Sequence, residues 1–281
     1  MENTKLNFAV IGNPISHSLS PEIHHLFANS LDIDLVYDKI CVESFEFEKV
    51  VKDFFQAKNT GLNVTSPFKE LAYKISDFHT KQVEMAGAAN VLWENDNKIY
   101  ADNTDGIGFI QDLTRYIDIK DKSILIIGAG GAARGILLSL LESHAKSITI
   151  FARRKEQAIQ VRCDFQNRVL VCDDFNTSYD IIINATSGSA FHQNSLIPDD
   201  LLMRAEFCYD LAYDLKKPTK FVCLANQLGV RAKDGLGMLI SQAAFSFKIW
   251  HEIMPDTQNI CYNEGELKYR GRPGFDVGCE T

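Results

Sequence analysis

The stretch that decides the fold is KSILIIGAGGAARGILLSLLESHAKSITIFARR, residues 122–154. An apolar run at residues 124–127 predicts a buried strand, the glycines after it predict a tight turn, and the alanine- and leucine-rich segment that follows predicts a helix. Residues 147–151 predict the next strand. Strand, glycine turn, helix and strand in this order are typical of a doubly wound dinucleotide-binding fold.

The glycine turn fits the pattern G-x-G-x-x-A and predicts a pyrophosphate site formed by Gly128, Ala129, Gly130, Gly131 and Ala132. Glycines allow the backbone to approach a pyrophosphate closely, and the helix N-terminus behind them offers unpaired N–H groups and a positive dipole. The alternative is a tight structural turn in a related domain that has lost its ligand.

The second strand of this unit ends at Ala152-Arg153-Arg154-Lys155, where an NAD-binding fold usually carries an acid for the ribose hydroxyls. Adjacent cations favour a 2′-phosphate instead, because arginine binds phosphate with paired donors. Arg153 and Arg154 therefore predict NADP rather than NAD as cofactor. The alternative is a solvated positive loop end.

Composition narrows the class of protein. The chain has 281 residues, a formal charge of -8 and no long basic run, which argues against nucleic acid as a partner. Its seven cysteines are widely spaced and form no C-x-x-C pair, so we interpret them as reduced thiols of a cytoplasmic protein. The N-terminus does not resemble a signal peptide, and the longest apolar stretch is interrupted by glycine and arginine, so no membrane partner is expected.

Short strand-like and helix-like runs alternate from residue 6 to about residue 100, which predicts parallel βαβ units and the α/β class. Ser20-Pro21-Glu22 predicts a helix start in which Ser20 can act as the cap. The apolar spacing of FEFEKVVKDFFQAK predicts another helix. The segment GMLISQAAFSFKIWHEIM predicts a helix near the end, and residues 259–281, which are weakly patterned, are expected to form a loose appendage.

Four clusters rich in hydroxyl, amide and carboxylate groups lie where predicted strands end or in the loops that follow: residues 13–21, 63–69, 87–90 and 103–106. Open α/β sheets bind ligands at this edge, and such side chains suit a small polyhydroxylated anion. The adjacent His24 and His25 do not share a helix face, and the chain has no H-E-x-x-H pattern, so no metal site is expected.

The ordered motifs of the chain resemble those of the shikimate dehydrogenase family. They are GNPISHSLSP, NVTSPFK, DNTDGIG, GAGGAARG, NATSG and DGLGMLISQAAFSF, and they span residues 12 to about 254. The resemblance implies reversible NADPH-dependent reduction of 3-dehydroshikimate to shikimate in the pathway to aromatic amino acids. It also implies an α/β substrate-binding domain of residues 1–103 plus 237–281, a Rossmann-type NADP-binding domain of residues 104–236, and ligand in the cleft between them.

The resemblance assigns roles to individual residues. Lys69 and Asp105 match the catalytic pair, with Lys69 as acid in reduction and base in oxidation, and Asp105 orienting it. The matching substrate contacts are Ser18, Ser20, Thr65, Lys69, Asn90, Asp105, Tyr213 and Gln242. The matching cofactor contacts are Gly128, Ala129, Gly130, Gly131, Ala132, Arg153, Arg154 and Gly235.

Several alternatives stay open at the level of sequence. Lys69 has the context of a solvated loop residue, Ser18 and Ser20 that of turn and cap residues, and Gln242 that of an ordinary polar helix face. A quinate or quinate/shikimate dehydrogenase of the same superfamily and a catalytically silent binding or regulatory homologue are the competing functions. The family's adenine-side motif N-R-T reads Ala152-Arg153-Arg154 in this sequence. The chain is expected to be a monomer or a homodimer.

Overall fold

A computed structural model describes residues 6–186, 197–263 and 266–269 of the chain. The chain divides into two compact units. Unit 1 comprises Met1–Thr104 and Ile240–Thr281, and unit 2 comprises Asp105–Leu239.

Unit 1 begins with alternating strands and helices. Its first strands are β1 (Leu6–Gly12), β2 (Leu35–Cys41), β3 (Gly61–Val64), β4 (Phe78–His79), β5 (Val91–Asn95) and β6 (Lys98–Asp102). Its helices are α1 (Ser20–Ser30), α2 (Phe47–Gln56), α3 (Lys69–Ile75) and α4 (Lys81–Ala86). The predicted helix α2 buries Phe47, Val51 and Phe55, whose four-residue spacing forms one apolar face.

The main sheet of unit 1 is mixed, with strand order β2-β1-β3-β5-β6-β4. The predicted parallel pairing holds for β1 with β2 and β1 with β3, whereas β5 runs antiparallel to both β3 and β6. β5 and β6 can pair in antiparallel fashion because the short turn at Asp96 and Asn97, both in the left-handed region, joins them. Because β5 also runs antiparallel to β3, the loop before β5 meets the loops after β1 and β3 at one edge of the sheet.

Unit 2 has the doubly wound architecture, so the predicted fold class is confirmed. Its strands are β7 (Ser123–Ile127), β8 (Ser147–Phe151), β9 (Leu170–Val171), β10 (Ile181–Asn184), β11 (Phe207–Asp210) and β12 (Ala232–Lys233). Its helices are α5 (Asp105–Leu113), α6 (Gly131–Glu142), α7 (Lys155–Asp164), α8 (Asp199–Met203) and α9 (Lys220–Gln227). The strand order is β12-β11-β10-β7-β8-β9, with every pair parallel. The order reverses between β7 and β10, the point at which such sheets bind ligands.

Two local expectations were wrong. Ser20 is the first residue of α1 rather than its cap: Leu19 occupies the cap position, and the Ser20 N–H donates to the Ser18 hydroxyl at 3.3 Å. The expected loose appendage contains an antiparallel hairpin of β13 (Ile260–Asn263) and β14 (Glu266–Tyr269). Four-residue strands are too short for a visible period, and the Tyr269 hydroxyl secures the hairpin by donating to the Asp256 carbonyl at 2.7 Å. Residues 270–281 of that segment lie outside the described residues.

The last helix, α10 (Leu236–His251), begins in unit 2, and its larger part belongs to unit 1. There it contributes to an aromatic cluster around His24, which is 1% exposed and stacks on Tyr37 with ring centroids 4.5 Å apart. Burial, reinforced by repulsion from His251 and His25, lowers the pKa of His24 to about 3. Burial also lowers the pKa of His251 to about 4. Both rings are therefore neutral at pH 7.

We expect acid to destabilise the protein through these histidines. Their pKa values in the folded protein lie below the usual value, so the unfolded chain binds protons first as the pH falls. The contribution of the neutral histidines to the free energy of unfolding is therefore complete above about pH 6.5 and is lost as the pH falls toward the folded pKa. His24→Phe keeps a stacked ring without a titrating group. Urea unfolding measures the free energy of unfolding at each pH. Between pH 7 and pH 5, this free energy should fall by up to about 2 kcal/mol more in the unsubstituted protein than in His24→Phe.

The matched control is His144→Asn, which replaces an exposed histidine in the left-handed region with a residue that tolerates this conformation. It should keep the pH dependence of the unsubstituted protein. Equal losses in the protein and in His24→Phe would contradict the assignment of the acid sensitivity to the aromatic cluster.

Candidate active site

In unit 1, backbone hydrogen bonds join three polar loops at one edge of the sheet. The loop after β3 bonds to the end of β1 through Thr65 N–H to Ile11 C=O at 3.0 Å, and it bonds to the loop after β1 through Asn13 N–H to Ser66 C=O at 3.1 Å. The loop before β5 joins them through Ala89 N–H to Lys69 C=O at 2.9 Å. Three of the four sequence clusters are therefore held together by main-chain contacts, as the carboxyl ends of neighbouring parallel strands allow.

Asn90 lies at the centre of a buried polar network. Its amide nitrogen donates to the Thr104 hydroxyl at 3.0 Å and to the Gln242 side-chain oxygen at 3.1 Å, and its amide oxygen accepts from the Thr104 N–H at 2.8 Å. Asn90 is 2% exposed, whereas Gln242 is half-buried. The network thus fixes the Asn90 amide and joins α10 to the fourth polar cluster, two of whose residues, Asn103 and Thr104, belong to unit 1.

Three further residues of this network, Asn63, Tyr37 and Ser246, had no individual role predicted from the sequence. The Asn63 amide donates to the Ser246 hydroxyl and to the Asn90 carbonyl, both at 3.0 Å, and it accepts from the Tyr37 hydroxyl at 2.6 Å. Burial raises the pKa of Tyr37 well above its usual value, so the phenol stays protonated and remains a donor. Asn63 stands within the NVTSPFK motif, but its partners Tyr37 and Ser246 lie 26 and 183 residues away in sequence. No local pattern points to such pairs.

The expected substrate residues of unit 1 occupy the same loops. The Ser18 hydroxyl donates to the Ser20 hydroxyl at 3.2 Å, and Ser20 is buried while Ser18 is half-buried. Thr65 is half-buried in the loop after β3. Lys69 is the half-buried first residue of α3, and its carbonyl accepts a hydrogen bond from the Ala89 N–H. The lysine therefore begins a helix instead of lying in an open loop.

In unit 2, Asp105 is the first residue of α5, and the close approach of α5 to α6 fixes its surroundings. A Cβ added at Gly106 would collide with the Ser139 hydroxyl and lie 2.9 Å from the Gly135 carbonyl oxygen. A Cβ added at Gly135 would lie 3.3 Å from the Asp105 carboxylate. Two glycines thus allow the helix that carries Asp105 to pack directly on the helix that follows the glycine turn.

The glycine turn lines a cavity of about 550 Å³ in unit 2. Gly128 has φ of +116°, and a Cβ there would lie 2.9 Å from the Ala185 carbonyl oxygen, so glycine is required on both grounds. The Gly128 N–H donates to the Phe151 carbonyl at 2.7 Å, which ties the turn to the end of β8. The lining residues are Ile127, Gly128, Ala129, Gly130, Phe151, Ala152, Arg153, Arg154, Gln157, Ala185 and Thr186.

This cavity fits the chemistry of NADP. Its glycine turn precedes the N-terminus of α6, which suits a pyrophosphate, and the two exposed arginines on its wall suit a 2′-phosphate. Gly131 and Ala132 are the first two residues of α6 and are outside the described lining. The structure therefore brings Gly128, Ala129 and Gly130 together with both arginines.

Two expected site residues lie elsewhere in unit 2. Gly235 is buried, its N–H donates to the Ala212 carbonyl at 3.0 Å, and a Cβ there would collide with the Leu211 carbonyl oxygen. Tyr213 lines a second cavity, of about 280 Å³, at the end of β11. Both residues are therefore associated with the loop that follows β11.

The described residues contain no group of three or more His, Cys, Asp or Glu side chains placed to hold a metal ion. Among the helices described, none has both the length and the apolar character to cross a bilayer.

Comparison with known proteins gives consistent matches along the chain. The family models described as "Shikimate dehydrogenase substrate binding domain", "Shikimate / quinate 5-dehydrogenase" and "Shikimate 5'-dehydrogenase C-terminal domain" match residues 10–92, 111–218 and 235–260. The shikimate dehydrogenase (NADP(+)) of Legionella pneumophila strain Lens is 49% identical over 254 residues, covering 90% of this chain and 96% of the relative.

Solved structures match over the same extent. An Ael1 enzyme from Pseudomonas putida has a TM-score of 0.85 and 36% identity, with 90% of this chain and 96% of that chain covered. The shikimate 5-dehydrogenase of Thermus thermophilus, in complex with NADP(H) and shikimate, has a TM-score of 0.81 and 28% identity, with 90% of this chain and 95% of that chain covered.

Arg153→Ala should weaken binding of NADP⁺ far more than binding of NAD⁺. Loss of charge-assisted hydrogen bonds to a phosphate predicts a Kd for NADP⁺ raised roughly 10- to 100-fold, whereas NAD⁺ has no group that needs them. Titration calorimetry with both nucleotides measures the ratio. Arg162→Ala removes an equal charge from an exposed position on α7 and should leave both Kd values unchanged. Equal weakening of NADP⁺ and NAD⁺ by Arg153→Ala would contradict phosphate recognition by this residue.

Proposed function

This chain belongs to the shikimate dehydrogenase family, and we propose that it catalyses the reversible, NADPH-dependent reduction of 3-dehydroshikimate to shikimate. The observation that carries the proposal is the convergence of three polar loops at one edge of the unit 1 sheet. Hydroxyl and amide groups held by main-chain contacts suit a small substrate that carries several hydroxyls and a carboxylate. The relatives' names specify the same substrate and NADP.

We assign the cofactor to unit 2 and the substrate side to unit 1. The arginine-walled cavity and its glycine turn support NADP, and when bound the reduced nicotinamide supplies a hydride. Residues of the chain bind and orient both molecules. Ser18 and Ser20 are assigned to the substrate carboxylate, and Thr65, Asn90 and Gln242 to its hydroxyls, with Tyr213 as a further contact. The Asn90 amide, already fixed by Thr104 and Gln242, offers a preorganised polar group.

Lys69 is assigned the proton transfer. As hydride reaches the carbonyl carbon, the carbonyl oxygen gains negative charge, and an ammonium group that hydrogen-bonds this oxygen stabilises the charge and donates the proton. Oxidation of shikimate reverses the step, with the amine taking the hydroxyl proton. Asp105, which begins α5, is assigned the role of orienting the ammonium group through charge and hydrogen bonding.

Lys69→Met should lower kcat by about 10²- to 10⁴-fold with a small change in KM, because the proton donor acts mainly in the transition state. Steady-state kinetics with shikimate and NADP⁺ measure both constants. The matched control is Lys74→Met, which changes an exposed lysine of the same helix and should leave kcat unchanged. A kcat near that of the unsubstituted protein in Lys69→Met would remove Lys69 from the chemical step.

The reaction itself is tested by following the absorbance of the reduced nucleotide, NADPH or NADH, with shikimate or quinate, each with NADP⁺ or NAD⁺. We expect the highest kcat/KM for shikimate with NADP⁺. Comparable turnover of quinate would favour a quinate/shikimate dehydrogenase, and no turnover in any of the four combinations would favour a silent binding homologue.

A further inference from the structure

A buried pair of side chains, Asn184 and Asp210, connects the walls of the two cavities described above, which are lined by residues of unit 2. Asn184 is 0% exposed and Asp210 is 2% exposed, and both line the smaller cavity. The next two residues after Asn184, Ala185 and Thr186, line the cofactor cavity instead. The pair lies at the ends of β10 and β11, next to the point at which the strand order reverses.

Asn184 fixes the turn that follows its own strand. Its side-chain oxygen accepts from the Thr186 N–H at 3.1 Å and from the Thr186 hydroxyl at 2.7 Å. An asparagine side chain bonded to the backbone two residues ahead imposes a defined turn. Two bonds to the same residue set both the backbone and the side chain of Thr186, so the position of this wall residue follows from the orientation of the Asn184 amide.

Asp210 in turn fixes that amide. The Asn184 side-chain nitrogen donates to Asp210 Oδ1 at 2.9 Å, and the Ala212 N–H donates to the same oxygen at 3.1 Å. Without this acceptor, the buried amide nitrogen would lose a partner, which is costly in a protein interior. Asp210 therefore determines which side of the Asn184 amide faces Thr186.

The two bonds to Asp210 Oδ1, from Asn184 and Ala212, require an oxygen that accepts hydrogen bonds at this position. Burial raises the pKa of Asp210, while hydrogen bonds from Thr219, Ala212 and Asn184 lower it. An amide oxygen in the same place also accepts hydrogen bonds. Asp210→Asn therefore keeps a hydrogen-bond acceptor at this position, whereas Asp210→Ala removes it.

We propose that Asp210 is a positioning residue for cofactor binding, which acts through Asn184 to fix the Ala185–Thr186 segment of the cofactor-cavity wall. The inference rests on the proposed function in that the cavity binds NADP. It extends that function to two side chains, Asn184 and Asp210, neither of which is among the cofactor contacts predicted from the sequence.

The test measures the Kd for NADP⁺ by titration calorimetry, together with thermal unfolding without ligand. Asn184→Ala and Asp210→Ala should each raise the Kd about tenfold, because the wall residue loses its fixed position. Asp210→Asn keeps the acceptor and should stay within about twofold of the unsubstituted protein. This rescue by the conservative variant is not expected if the carboxylate charge itself were required.

Asp180→Ala is the matched control because Asp180 makes comparable bonds immediately before β10, at the opposite end of the strand. Its Oδ2 accepts from the Ser123 N–H and hydroxyl, both at 2.7 Å. This variant should unfold at a lower temperature without a change in the Kd for NADP⁺. A purely structural role for Asp210 would give the same result in Asp210→Ala, and an unchanged Kd in that folded variant would overturn the proposal.

The readout separates this inference from the proposed reaction, because nucleotide binding requires no turnover. A protein that binds NADP⁺ and does not oxidise shikimate would contradict the reaction, and the variants would still decide the role of Asp210. An unsubstituted protein that does not bind NADP⁺ would overturn both.

Discussion

Parallel pairing of neighbouring strands is the constraint on which the polar sites of this protein depend. Because β1 and β3 run in the same direction, their loops emerge at one edge, where main-chain bonds join them to the loop before β5. In unit 2, β7 pairs in parallel with β8 and β10, so the glycine turn, the arginines and the Ala185–Thr186 segment also emerge at one edge. In each unit the backbone pattern assembles side chains that lie far apart in sequence.

Buried polar groups give this arrangement its precision. Asn63, Asn90, Asn184 and Asp210 are all nearly inaccessible to solvent, and each has hydrogen-bond partners within its own unit. A buried amide or carboxylate is tolerated only when it is paired, so a fully paired network favours one geometry over its alternatives. The same amide that satisfies the interior can thereby present a fixed polar group to a ligand.

The sequence predicts the parts of the molecule that local patterns encode. The apolar run, glycine turn and helix of residues 122–142 are contiguous, so the doubly wound unit can be predicted from them. The length of β8 alone then places the two arginines just beyond the end of that strand. By contrast, Asn63 with Ser246 and Asn184 with Asp210 are pairs set by tertiary packing. The antiparallel course of β5 and the hairpin β13–β14 were missed because short strands carry too little periodicity.

The contact between α5 and α6 has a consequence for changes to the sequence. Gly106 and Gly135 leave room for each other's helices, and neither position can take even a methyl group without moving a neighbour. The two helices therefore behave as one exchangeable block: a chimaera with a relative would have to take both from the same parent. Taking α5 and α6 from different parents would shift the carboxylate of Asp105 relative to the helix that follows the glycine turn. Natural variation is therefore expected to change α5 and α6 together.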